Sequence, residues 1–257
     1  MSKTSRSQSY PIQLIDLVLI ELSNWRWSWR SILVVGACVP LFGMIGLSIY
    51  ARDLGPEALN AIFSGSLVMS LMLGNLGNIQ SHVVFMRFQG TLEYFATLPI
   101  HKHALMMAII IAFFLLSLPA LLTLLVIGSA LLRIALAPHP LLLLVMPLCV
   151  LPMSAIGALI GVSVSSPQQG SSLSVLTAFL FGGLGPVLFP PDRLPEFLRL
   201  IGLINPAARA SSALRQTLIG PLDQQIALDL AIVFGFTLCV FYVVGKKLDW
   251  RAGHALS

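Results

Sequence analysis

The side chains that could do covalent or metal chemistry in this chain are few and badly spaced for it. Five histidines, His82, His101, His103, His139 and His254, form no His-Glu-x-x-His pair, which excludes a helical zinc-hydrolase site. Cys38, Cys149 and Cys239 each stand in a separate apolar segment. That spacing fits neither a zinc site nor a disulfide framework, and the three read as small packing residues. Ser66 and Ser70 lie three or more helical turns from His82, too far for a hydroxyl–imidazole pair. Gly245-Lys246-Lys247 lacks the upstream glycine and the following hydroxyl residue of a phosphate-binding loop. Between Glu93 and Asp192 there is no acid. A proton- or sodium-driven carrier usually holds a carboxylate within its spans; an aspartyl protease of the membrane needs aspartates there, and none is read in the spans. No catalytic residue, no metal and no cofactor of its own is therefore expected, and any energy source lies outside the chain.

The elements that carry these residues follow from composition. Of 257 residues 57% are apolar and 10% charged, with a mean hydropathy of +0.91. Soluble domains hold about 25% charged residues, so the chain belongs to the polytopic membrane class. The expected fold is all-α. A span needs about 20 apolar residues, and six segments meet or approach that length: Ile32 to Tyr50, Ala58 to Phe85, Ala104 to Leu132, Leu141 to Val164, Ser171 to Phe189, and Ile226 to Gly245. The chain divides into a tail with an interfacial helix at 1–31, a six-span domain at 32–245, and a second tail at 246–257.

Residues 1–13 are polar and basic, and the apolar run from Ile12 to Leu22 is broken by Asp16 and Glu21 with no cleavage site after it. This is not a cleavable leader. Pro11 to Arg30 reads instead as an amphipathic helix on the cytoplasmic leaflet. Leu14, Leu17, Val18 and Leu22 share one face, and alternating Trp and Arg at 25–30 suit the headgroup layer. Six spans put both termini on one side. With the termini inside, Lys3, Arg6, Arg26, Arg30, Arg87, Lys102, Lys246, Lys247 and Arg251 are inside against Arg52, Arg133, Arg193, Arg199, Arg209 and Arg215 outside. The bias places both termini in the cytoplasm.

Three segments depart from plain spans. The second span carries Ser66, Ser70, Gly74, Gly77, Asn78, Ser81 and His82 within an arc of about 160°. Such an arc is either a helix–helix contact or one wall of a pathway, and for the wall the candidates are Ser66, Ser70, Gly74 and Asn78. Alone, His82 reads as a hydrogen-bonded structural histidine. Gly157-x-x-x-Gly161-x-x-x-Ser165 in the fourth span is a candidate dimer seam. The fifth span breaks at Gly182-Gly183-Leu184-Gly185-Pro186 and Phe189-Pro190-Pro191, followed by a short apolar piece to Ile204, Asn205-Pro206 and an amphipathic piece, Ala207 to Leu218. Region 182–220 is thus broken and re-entrant at the outer end. Backbone of that kind is buried in protein or lines water, which makes it the candidate outer gate. The inner loop at 86–103 is expected to hold a short helix capped by Thr91 and ended by Pro99, with Leu92, Phe95 and Leu98 on one side. On the residues alone it is either a surface connector or a docking element.

These segments, in this order, resemble the permease subunits of type-2 ABC exporters, the ABC-2 family. The family's loop typically reads Glu-Arg-x-x-Gly-Thr-Leu-Glu-x-Leu-x-x-x-Pro, and Arg87, Gly90, Thr91, Leu92, Glu93 and Pro99 match it. Toward the end Leu194-Pro195, Asn205-Pro206 and Ala213-Leu214-Arg215 match the family's Leu-Pro, Asn-Pro and small-residue-Leu-Arg. Met86 replaces the loop's first glutamate, and Met107-Ala108 stands where the family has Gly-Lys.

What the resemblance implies is a non-catalytic membrane subunit of an ATP-driven exporter. The loop would be a coupling helix, with Arg87, Gly90, Thr91, Leu92, Glu93 and Pro99 meeting a separate cytoplasmic ABC ATPase, present in two copies and holding ATP and Mg. Gly182, Gly183, Pro186, Leu194, Pro195, Asn205, Pro206 and Arg215 would form the outer gate. The permease would pair with a second copy of itself, a homodimer in preference to a heterodimer, in the plasma (inner) membrane of a prokaryote, in contact with lipid and with no nucleic-acid partner. All four tryptophans lie near the inner interface, and the aromatics near the gate are phenylalanines, which points to an apolar or amphiphilic cargo, a lipid or drug-like compound. The alternative is a passive channel or assembly scaffold with no ATPase.

Overall fold

A computed structural model of the chain describes residues 10–25, 29–51, 53, 55–98, 100–183 and 185–247. Among them are ten α-helices and no strand: α1 Tyr10–Trp25, α2 Trp29–Ala51, α3 Pro56–Phe88, α4 Thr91–Thr97, α5 Lys102–Leu132, α6 Leu142–Ser163, α7 Pro167–Gly183, α8 Glu196–Ile204, α9 Pro206–Leu218 and α10 Gln225–Lys247. Five of these, α2, α3, α5, α6 and α10, are long and apolar enough to cross a membrane. Their limits fall within a few residues of the hydropathy segments. The protein is an all-helical, multi-pass membrane protein.

The fifth expected span ends its helix at the expected glycines and is too short to stand among the crossing helices. Its helix, α7, has 17 residues and stops at Gly183, six residues before Phe189. Gly185 adopts φ +127, a backbone that L side chains rarely take, and Pro186 has no amide to continue the helix. The chain nonetheless keeps running beside α3 in the opposite direction. Ser174 meets Gln80, Gly182 meets Met69, and Val187 meets Gly65.

Helix α3 is the axis of the bundle and packs against α2, α5, α6, α7 and α9. One apolar cluster gathers round its first half, with Phe63, Leu67, Leu71 and Leu76 beside Met44, Leu121, Val145, Val150 and Leu214. A second surrounds its last turns, where Ile79, Val83 and Met86 meet Leu17, Leu105, Ile109 and Phe113. Contact between α3 and α6 rests on two glycines. A Cβ on Gly157 would stand 2.6 Å from the Leu76 carbonyl oxygen, and one on Gly161 would stand 2.7 Å from Val83 Cβ. The Gly157/Gly161 motif is thus occupied inside the chain and is not available as a dimer seam. The small residues are used where two backbones of one chain must approach.

Substituting Gly157→Val should lower the thermal unfolding midpoint of the purified protein, at a cost of about 1–3 kcal/mol from overpacking. Gly43→Ala, where a Cβ would meet nothing within 4 Å, should leave the midpoint unchanged within a degree or two. Equal midpoints for Gly157→Val and the parent chain would contradict this packing.

Candidate functional site

At the α4 end, α3 turns into the short helix through Gly90, whose φ of +71 is left-handed. Gly90 occupies the position before the helix, and Thr91 is its first residue without a side-chain capping bond. This corrects the expected Thr91 cap: the left-handed turn demands glycine there. Leu92 and Phe95 pack half-buried against the second apolar cluster. Leu98 does not share that side and is 37% exposed, because the helix ends at Thr97 and Leu98 is extended. Glu93 and Tyr94 face outward, Tyr94 with 63% of its surface open. Pro99 lies outside the described residues, as do Arg26 and Trp27.

Arg87, in the last turn of α3, points back into the protein. Its Nη1 donates to the carbonyls of Gly161 at 2.9 Å and Val164 at 3.0 Å. These belong to the C-terminal end of α6, where a cation is favoured by the helix dipole. Arg87 therefore ties the α4 loop to α6. Helix α1 lies against α5 and braces the same end. Glu21 and His82 pair at 3.0 Å, Gln13 Oε1 and His101 Nδ1 stand 3.2 Å apart, and His82 sits edge-on to Phe113. The structural reading of His82 holds. Leu17 is buried and Leu14, Val18 and Leu22 half-buried on this side, while Ile12, Ile15, Leu19 and Ile20 face away from the bundle.

The polar arc of α3 divides. Ser66 is buried, and Ser70 donates to the Gly36 carbonyl of α2. Asn75, missed by the arc, is fully buried and donates to the Leu71 carbonyl and to Ser117 Oγ of α5. These are helix contacts. Gly74, Gly77, Asn78 and Ser81 instead line a cleft of about 270 Å³ between α2 and α7, with Val35, Gly36, Ser171, Ser174 and Val175 on its walls. Gln80, also missed, lies at its base and accepts from Ser174 Oγ and Ser81 Oγ, each at 3.3 Å.

At the α9 end a wedge of irregular chain is sealed in protein. Val187 is fully buried, and its carbonyl lies against Gly65, where a Cβ would come within 2.2 Å. Ser211 donates to that carbonyl at 3.0 Å and meets Ser64 Oγ at 3.2 Å. Asn205 accepts from the Ala207 amide, capping α9, and its Nδ2 donates to the Phe181 carbonyl of α7. Pro206 opens α9, and Pro186 lies over Gly202. The amides of Ala137 and His139 cover the Leu218 and Thr217 carbonyls at the other end of α9. Of the expected gate residues, Gly182, Pro186, Asn205 and Pro206 meet in this knot. Gly183 and Pro195 are exposed, and Leu194 is half-buried away from it. Arg215 faces a separate hollow of about 380 Å³ with Glu57, Asn60, Asp192 and Gln216.

One acid was misplaced by the sequence reading. Asp229 lies inside α10, is 0% exposed, and pairs with Arg209 of α9 at 2.8 Å. Gln216 Nε2 reaches its second oxygen at 3.4 Å, and Arg209 Nε donates to the Leu203 carbonyl. An acid at the fourth residue of an otherwise apolar span was a legible signal, since an intramembrane charge needs a partner. The spans thus do hold a carboxylate, but one already engaged by a guanidinium.

The sequence profile described as "ABC-2 type transporter" matches residues 20–219 of this chain. No curated protein matches it.

Arg209→Ala should destabilise the purified protein by about 3–5 kcal/mol, because it leaves a buried carboxylate unpaired. The double change Arg209→Met with Asp229→Leu should recover most of the loss in a thermal melt. If the single variant melts with the parent chain, the pair does not hold α9 to α10.

Proposed function

Because the chain belongs to the ABC-2 type transporter family, and so is a permease subunit of an ABC transporter, we propose that it exports an apolar or amphiphilic compound under the drive of a separate ATPase. Two copies of that ATPase, holding ATP and Mg, dock on two copies of this chain through α4. The family implies an ABC ATPase partner. The docking surface is the outward face of α4, with Glu93 and Tyr94, and the observation that carries this reading is its rigid backing: Leu92 and Phe95 are packed beneath it, and Arg87 binds α6 beside it. A push on α4 therefore reaches α3 and α6 together.

The pathway runs along the cleft faced by Gly74, Gly77, Asn78 and Ser81, and a second copy of the chain supplies the opposite wall. Ser66 and Ser70 hold the helices that frame it. The knot of Gly182, Pro186, Asn205 and Pro206 is the outer closure, which opens by separating the Val187 carbonyl from Ser211. Supporting a sixth crossing, α7 and the Gly185–Phe189 stretch run beside α3 from the level of Gln80 to that of Gly65. The protein sits in the inner membrane of a prokaryote with α4 and both termini in the cytoplasm, as the Lys and Arg distribution favours.

Glu93→Ala should leave the permease in the membrane at normal level and lower ATP-dependent export severalfold, and Gly90→Pro, which cannot keep the left-handed turn, should lower export at least as far. Affinity isolation of the parent chain in gentle detergent should bring a stoichiometric soluble ATPase. Unchanged export in both variants would remove α4 from the mechanism. Isolation without an ATPase, with ATP present, would favour a passive channel or scaffold.

A further inference from the structure

Resting on the reading of the cleft as pathway wall, we infer that its cargo is an uncharged amphiphile with hydroxyl and carbonyl groups at its polar end, and that Gln80 selects it. The three helices that enclose the cleft carry no Asp, Glu, Lys, Arg or His over residues 31–51, 58–81 and 167–183. In a homodimer the opposite wall has the same residues, so an ion entering at this depth finds no counter-charge from either copy, and its lost hydration is not offset. His82, which follows Ser81 on α3, pairs with Glu21 of α1 and sits edge-on to Phe113 of α5.

Neutral polar groups do face the cleft. Gln80 is 1% exposed. Its Oε1 already accepts from Ser81 and Ser174, while its Nε2 stands over Gly170 with no hydrogen-bond partner among the described residues. Gln80 is among the residues that line the cleft, and a carbonyl or ether oxygen there would meet this amide donor better than a hydrocarbon surface does. Asn78 Nδ2 donates to the Gly74 carbonyl, leaving Oδ1 to accept from a hydroxyl. Val35, Leu73 and Val175 give the same space apolar sides for a chain. One carboxamide donor and one carboxamide acceptor beside apolar walls fit an ester- or amide-linked polyol head on a hydrocarbon tail.

Three photoreactive probes with one diazirine-bearing alkyl chain test this: a monoacylglycerol, a fatty acid and an alkyltrimethylammonium. Each is irradiated in native membrane vesicles with the full-length tagged chain, and labelled peptides are mapped. The monoacylglycerol should label residues 73–81 and 171–175 about tenfold more than either ion, and Gln80→Leu should reduce that labelling about tenfold, the loss of one buried hydrogen bond. Gln80→Glu should move the preference to the trimethylammonium probe. Equal or stronger labelling of the cleft by an ionised probe in the parent chain overturns the cargo class and leaves the pathway reading standing. If no probe labels these peptides above the exposed α5 residues Leu122 and Val126, the cleft is not a site and the pathway wall falls with it.

Discussion

Ser64, Ser70, Asn75, Gln80 and His82 all stand on one helix whose other side chains are mostly apolar, and each is at most about a tenth exposed. In hydrocarbon no water answers such groups, so protein must. Each finds its partner on a different element: Ser211 of α9, the Gly36 carbonyl of α2, Ser117 of α5, Ser174 of α7 and Glu21 of α1. Satisfying α3 thus sets the positions of its neighbours, and the glycines at 65, 157, 161 and 170 let those neighbours come close enough to do it. Apolar burial fills the space between, but the hydrogen bonds fix which helix lies where.

The same arrangement joins the two ends of the molecule. Arg87 binds the end of α6 beside the α4 loop, and a few residues later the chain enters α7, whose Ser174 meets Gln80. Farther along, the continuation of α7 is pinned between Gly65 and Ser211, and Asn205 ties α7 to α9. On the proposed reading, a displacement of α4 would be passed through this packed backbone, which transmits strain, to the chain at the α9 end.

Much of this was legible in the sequence, because hydropathy and charge report directly on solvent. Helices α2, α3, α5, α6 and α10 were found by length and composition, α1 by its amphipathic face, and the α4 loop by its glycine and breakers. The errors came from residues whose role depends on what lies opposite. Gly157 and Gly161 look the same whether they meet a second copy or α3 of the same chain. Thr91 is a good cap by type, but the left-handed turn at Gly90 moved the helix start by one residue. The break that ends α7 at Gly183 was legible from its glycines and prolines, although the apolar run continues past them. Asp229 was passed over when no aspartate was read in the spans, although a lone acid one turn into an apolar span calls for a buried cation. Gln80, Gly65 and Ser211 gave no signal, since only the folded chain brings them to their partners.

On the proposed reading, α4 is the point where an ATPase drives the permease. The most direct measurement places benzoylphenylalanine at Tyr94, whose ring faces outward, and irradiates intact cells. One dominant crosslinked product is expected, this chain joined to a soluble ABC ATPase. Crosslinks to lipid alone, or to an unrelated membrane protein, would contradict it.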